Sequence, residues 1–203
     1  MTQLTQSQHD TFKELINIGV GRAANMLNAM VDSRVHLDVP QIFTLNPAEL
    51  VMQLRRLGGD HVAAVRLTYS GVFSGATSII FPPESAAKLV KVLVDDPTAD
   101  DDLNELRVGT LTEVGNVVIN GVMGSIANVL NERLHYSLPN FIDDTITELV
   151  ARNQFEADAI IIMAQAHFNV EALRIDGSIV LWFEVGSLDT LLEAIDALNA
   201  DLD

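Results

Sequence analysis

The 203-residue chain contains no cysteine, which removes disulfides, thiolate metal sites and cysteine nucleophiles, and suits a reducing compartment. Basic residues are scarce: 12 Lys and Arg stand against 28 Asp and Glu, a formal charge of −16. The electrostatic footprint of a nucleic-acid or anionic-membrane binder is therefore missing, and proteins or cations are the expected partners. The N-terminus, MTQLTQSQHD, has neither a basic n-region nor an apolar h-region, so no signal peptide is expected. The most apolar stretches, such as AIIIMA at 159–164, fall well short of the roughly 18 residues a membrane span needs. Together these absences predict a cytoplasmic protein that binds neither nucleic acid nor membrane. What the chain does have is apolar material, 48% of its residues, enough for the core of one large domain or two small ones.

It also says much of what it says twice. Residues 10–40, DTFKELINIGVGRAANMLNAMVDSRVHLDVP, align without gaps on 109–139, GTLTEVGNVVINGVMGSIANVLNERLHYSLP, at an offset of 99. Identities fall at Thr11/Thr110, Glu14/Glu113, Asn17/Asn116, Arg34/Arg133, His36/His135 and Pro40/Pro139, and most apolar positions stay apolar. A second match, with Gly75/Gly177, Phe81/Phe183 and Ser85/Ser187 in register, supports a tandem duplication. The expected organisation is one domain of two repeats, about 8–95 and 103–199, joined by the acidic stretch DDPTADDD at 95–102, which reads as a solvated linker.

Each repeat opens with a long helical pattern, 8–31 and 103–131, the first preceded by a capping box from Thr5 to Gln8. Alternating strands follow, on Val35, Leu37 and Val39 and on Leu134, Tyr136 and Leu138. Further strands are expected at about 61–70 and 74–81, then at about 157–168 and 178–185, each pair close enough for an antiparallel hairpin. A helix closes each repeat, starting near Pro83 and Ser187, and an extra helix has Asn46 as N-cap and glycine at its end. The fold class is α/β of the α+β type, with a mixed or antiparallel sheet covered by helices.

At about 100° per residue, Asp10, Glu14, Asn17 and Gly21 share a stripe about 60° wide, opposite an apolar face of Phe12, Leu15, Ile16, Gly19, Ala23, Met26 and Met30 expected to lie against the sheet. In the second long helix Leu111, Val114, Val118, Val122 and Val129 take the buried side, with Glu113, Asn116 and Asn120 opposite. The duplicated polar pair thus sits where the core does not demand it. Gly19 permits close backbone packing, whereas Gly21, on the outer face, leaves room for another molecule to approach; its counterpart is Asn120. His36 and His135 alternate with core positions and have no other histidine at ligand spacing, so they read as structural and no metal site is proposed.

GVGRAA at 19–24 also fits the dinucleotide fingerprint G-x-G-x-x-A, with Asp38 at a suitable distance. That reading needs a strand over 14–18, where the helical pattern is continuous, and the repeat keeps Glu, Asn and Pro but has Val118-Ile119-Asn120 in place of the glycines. The nucleotide site is the weaker alternative.

Asp10, Glu14, Asn17 and Pro40 reproduce the spacing Asp or Ser, three residues, Glu, two residues, Asn, twenty-two residues, Pro. Glu113, Asn116 and Pro139 repeat it, with Gly109 in place of the first residue. In this the chain resembles the CheC, CheX and FliY phosphatases of bacterial chemotaxis, and its two copies resemble CheC in particular, over nearly the whole length. The resemblance implies a CheC-like pseudo-twofold fold, with the two long helices carrying the motif. It also implies hydrolysis of the aspartyl phosphate on a CheY-like receiver domain. On that reading Asn17 and Asn116 position the attacking water, as a glutamine does in GTPases. Glu14 and Glu113 engage the receiver's active-site lysine, Asp10 supports docking with Gly21 and Asn120 on the partner-facing surface, and Pro40 and Pro139 are structural. No cofactor is expected in this chain; Mg²⁺ belongs to the receiver. The resemblance further allows a CheD-like deamidase as partner. With Gly109 altering the second copy, both sites are expected to act, unequally. The alternative is a non-catalytic receiver-binding adaptor of the same fold.

Overall fold

The computed structural model describes residues 4–30, 35–94, 104–152, 161–170, 173–183 and 187–200. The first helix, α1 (Gln6–Met30), begins where the sequence supplies its own cap. Thr5 Oγ1 accepts from the Gln8 backbone N–H at 3.2 Å, and Gln8 Oε1 accepts from the Thr5 N–H at 2.9 Å. Strand β1 (Val35–Leu45) follows and leads to α2 (Pro47–Gly58). There Asn46 and Glu49 form a second capping box, Pro47 fills the first turn, and Gly59 closes the helix at a φ of 96° that glycine adopts without strain. The hairpin β2 (His61–Gly71) and β3 (Gly75–Phe81) runs into α3 (Pro83–Val94).

The second half repeats this order: α4 (Asn104–Val129), β4 (Leu134–Tyr136), β5 (Asn140–Thr145), α5 (Ile146–Ala151), the hairpin β6 (Ile161–Val170) and β7 (Leu173–Phe183), and α6 (Ser187–Ala200). Thr145 caps α5 by accepting from the Glu148 N–H, 99 residues after Asn46 does the same for α2. The acidic stretch at 95–102 lies outside the described residues.

Among the described residues the seven strands form one sheet in the order β1-β6-β7-β3-β2-β4, with β5 also on β2, and every ladder is antiparallel, which narrows the mixed-or-antiparallel expectation. Each half's first strand pairs with the other half's hairpin, so neither half completes a sheet alone. The two arms share one register. Val35 faces Val170 as Leu134 faces Gly71, and Gln41 faces Gln165 as Asn140 faces Arg66, with partners in each arm 99 residues from their counterparts. In the first arm the register slips between Asp38 and Gln41, which brackets Pro40. In the second arm the strand breaks over 137–139 at Pro139. Proline has no N–H to give to a ladder and is tolerated at an edge strand or a bulge, where both of these lie.

Three expectations change. The second edge strand ends at Tyr136, so Leu138 leaves the sheet and is 88% exposed; the alternation of Leu134, Tyr136 and Leu138 does not mark a core face. The strand β5 and the six-residue α5 occupy a stretch whose short pieces carry little periodic signal. In the hairpins, Phe81 faces Ala63 and Leu181 faces Ile162, so Phe81 corresponds to Leu181 and not to Phe183, a shift of two that keeps side chains on the same sheet face.

The sheet carries helices on both faces. The larger core lies under α1, α3, α4 and α6 and includes Phe12, Ile16, Val65, Ile79, Leu111, Met123, Ile179 and Leu191. A smaller one, with Leu50, Leu54, Ile80, Ile146, Leu149 and Met163, lies under α2 and α5. At about 1.5–3 kcal/mol for each fully buried aliphatic side chain, the larger core dominates stability, and it is the one that sets α1 and α4 in place.

Candidate functional site

The two long helices pack side by side. They approach through glycine: a Cβ at Gly19 would run into the Val122 backbone and stand 2.8 Å from the Gly121 carbonyl oxygen, and a Cβ at Gly121 would stand 2.9 Å from the Gly19 oxygen. The expected close-packing role of Gly19 holds, but its partner is α4 and not the sheet. Because α1 meets a neighbouring helix as well as strands, its buried arc extends to Val20 and Leu27, while Met26 stands 50% exposed; the side chain of Met30 lies outside the described residues. The helix runs unbroken through residues 14–24, so the strand and glycine turn of a dinucleotide site do not exist here.

Helix α4 is more deeply set. Besides the expected Leu111, Val114, Val118 and Val122, it buries Val117, Ile119, Met123 and Ile126, leaving a narrow open strip. On that strip lie Glu113, exposed, and Asn116 and Asn120, half-buried. On α1 the corresponding strip carries Asp10, Glu14 and Gly21, exposed, and Asn17, half-buried. The fold thus puts the Glu-x-x-Asn pair of each half on an outward helix face, one turn apart, backed by rigid core.

The surroundings of the two pairs differ. Asp10 is held along α1 by the Gln6 side-chain amide, which donates to its two carboxylate oxygens at 3.0 and 3.1 Å, and His9 Nδ1 stands 3.6 Å from one of them. A Cβ at Gly21 would meet nothing within 4 Å. On α4 the equivalent of Asp10 is Gly109, exposed and equally free of steric demand, and the equivalent of Gly21 is Asn120, whose Nδ2 donates to Asn116 Oδ1 at 2.7 Å. Glu14, Asn17 and Glu113 make no such bond with another described residue.

Two features of this region were not foreseen. Leu106 is 45% exposed and, seven residues before Glu113, shares its strip on α4. Its place two turns before Glu113 was the available signal. Also, Asp143 on β5 faces both His61 Nδ1, at 3.2 Å, and Arg107 in the first turns of α4, at 3.6 Å. These groups are half-exposed, so the cluster is worth about 1 kcal/mol at most; it anchors the start of the helix. His36 and His135 are exposed residues of the edge strands, so they are not part of a core face. Among the described residues no three His, Asp or Glu side chains come together to hold a metal ion, and no helix is long and apolar enough to cross a membrane.

Chemically, a carboxylate and a carboxamide one turn apart supply an anion that can pair with a cation on another molecule, and a group that can both donate to and accept from a water. Neither is an activated nucleophile. The arrangement suits orienting a reactant on a docked partner.

No family model matches the chain. It is 25% identical over 162 residues to the CheY-P phosphatase CheC of Bacillus subtilis (strain 168), covering 77% of this chain and 76% of that protein. It is 21% identical over 194 residues to the flagellar motor switch phosphatase FliY of the same organism, covering 95% of this chain but only half of that protein's length. Among solved structures, Thermotoga maritima FliY superposes with a TM-score of 0.78 at 14% identity, over 97% of this chain and 100% of that one. A chain of the FliM–SpeE complex from H. pylori gives 0.74 at 12% identity, over 97% and 98%. A chain of the CheX–CheY–BeF₃–Mg²⁺ complex from Borrelia burgdorferi gives 0.52 at 17% identity, over 85% and 99%. In sequence the chain is similar to CheC and FliY, and it shares its fold with solved FliY, FliM and CheX chains, which together support a CheC-like chemotaxis phosphatase family.

Proposed function

We propose that this protein dephosphorylates the receiver domain of a CheY-like response regulator in the cytoplasm, using two sites that arose by tandem duplication. The observation that carries the reading is the Glu-x-x-Asn pair, found twice on outward helix faces where packing makes no use of it. The similarity to proteins named CheY-P phosphatase CheC and flagellar motor switch phosphatase FliY supports the activity.

The reaction asks little covalent chemistry of the protein. An acyl phosphate is already activated, and in the receiver a lysine and Mg²⁺ neutralise charge on the phosphoryl group. What is missing is a water held in line with the bond to be broken. Asn17 or Asn116 supplies this by donating to and accepting from that water, as the glutamine of a GTPase does. The water oxygen bonds to phosphorus, the bond between phosphorus and the aspartyl oxygen breaks, and aspartate and inorganic phosphate leave. Glu14 or Glu113 pairs with the receiver lysine and fixes the helix against it, so that position and orientation account for the acceleration. Asp10 adds a docking carboxylate at the first site.

The assay is phosphate loss from a phosphorylated CheY-like receiver, with wild-type protein and with Asn17→Ala/Asn116→Ala. The wild type accelerates it; the double variant, folded and still binding the receiver, does not. A second reading draws support from the FliM-like fold: an adaptor that binds a receiver without hydrolysing anything. Binding without acceleration across the receivers of one genome would favour it.

A further inference from the structure

Asn120 stands one turn after Asn116 on α4, and the 2.7 Å bond from its Nδ2 to Asn116 Oδ1 is short for an N–H···O contact. This uses one of the two lone pairs of Asn116 Oδ1 and turns the Asn116 Nδ2 donors away from Asn120. A half-buried carboxamide that would otherwise sample several rotamers is thereby held in one. In the first half the same position is Gly21, beside which there is open space, and Asn17 has no counterpart to that bond among the described residues.

We infer that Asn120 is a positioning residue that presets Asn116, so that the α4 site is organised before the partner arrives while the α1 site orders Asn17 only on docking. This deepens the phosphatase reading and, for its kinetic part, rests on it. It also moves Asn120 from the partner-facing surface to the support of the reactive group. Ordering one side chain in advance corresponds to a rate advantage of about two- to tenfold.

The test has two arms. In an Asn17→Ala background, where only the α4 site can act, Asn120→Ala and the near-isosteric Asn120→Asp, which cannot donate, are compared with Asn120 for kcat and KM toward a phosphorylated CheY-like receiver. Both are expected to lower kcat about two- to tenfold with KM unchanged. In the mirror experiment, Gly21→Asn in an Asn116→Ala background raises kcat. The second arm needs no activity: side-chain NMR of the free protein is expected to show one Asn116 χ1 rotamer, which becomes averaged in Asn120→Ala. A rise in KM with kcat unchanged would make Asn120 a receiver contact and overturn the proposal, as would an Asn116 rotamer indifferent to Asn120. If wild-type protein turns over no receiver, the phosphatase reading fails, and the NMR arm still decides whether Asn120 holds Asn116.

Discussion

The strips on α1 and α4 carry the same Glu-x-x-Asn pair, yet the positions that flank it along each strip have diverged. One turn before the glutamate stands Asp10 in one and Gly109 in the other; one turn after the asparagine, Gly21 in one and Asn120 in the other. Two turns before the glutamate, Ser7 on α1 is matched by the exposed Leu106 on α4. The first strip is polar at its start and open at its end. The second has an apolar foothold at its start and an internally bonded carboxamide at its end. The positions assigned to the proposed chemistry stay fixed while their neighbours on the strip vary, so on the proposed function the two sites would differ in rate without differing in mechanism.

The comparison can be broken most severely where the helices cross. Gly19→Ala places a methyl group against the backbone of α4, which cannot move aside as a side chain could, and should lower stability in denaturant unfolding by about 1–3 kcal/mol, disturbing both strips together. Gly21→Ala, two residues on and in open space, should instead raise it by up to about 1 kcal/mol. Next comes the foothold: Leu106→Ser, in an Asn17→Ala background, should raise KM for the receiver about fivefold, the effect of losing about 1 kcal/mol of apolar burial at docking, and should leave kcat alone. Gly109→Ala tests whether the departure from the motif has a packing reason. With nothing near its Cβ, the substitution should stabilise the protein by about 1 kcal/mol in the same unfolding assay and leave catalysis by the α4 pair unchanged.

The smallest effect concerns the sheet edges. Burial raises the Tyr136 phenol above its ordinary pKa of 10.0, so the folded state favours the neutral form. Its contribution is fully present below the unfolded pKa and is lost as pH rises through the folded value. The corresponding residue of the other edge is Leu37, which does not titrate. Tyr136→Phe should therefore flatten the alkaline limb of a stability-versus-pH curve, while wild type and variant coincide near neutrality.

Much of the fold could be read from local chemistry. The Thr5–Gln8 capping box, the Asn46 cap, Gly59 and the long helical periods each point to one local structure, and tertiary packing leaves them intact. The first hairpin followed from apolar runs separated by a short turn; in the second, β7 begins at Leu173, ahead of the strand expected from about 178. What escaped was decided by the surroundings of a segment. The stretch from Leu134 to Leu138 has the alternation of a strand, but the sheet abandons it before Pro139, so Leu138 ends in solvent. The second half of that edge, β5 with the single-turn-and-a-half α5, is too short for periodicity to show. The extent of burial on α4 was hidden for the opposite reason: a helix packed on strands and on other helices is apolar nearly all round, so its face is defined by the few polar residues that remain. Those few, Glu113, Asn116 and Asn120, were legible; that Asn120 donates to Asn116 was not, although their four-residue spacing allows it.

The most direct test of the two-site account is the dephosphorylation rate of one phosphorylated CheY-like receiver with Asn17→Ala, Asn116→Ala, the double variant and the wild type, each checked for fold by circular dichroism. The account predicts that each single variant keeps part of the rate, that the two residual rates are unequal and add up to about the wild-type value, and that the double variant keeps none. Equal residual rates, or a single substitution that abolishes all acceleration, would contradict it.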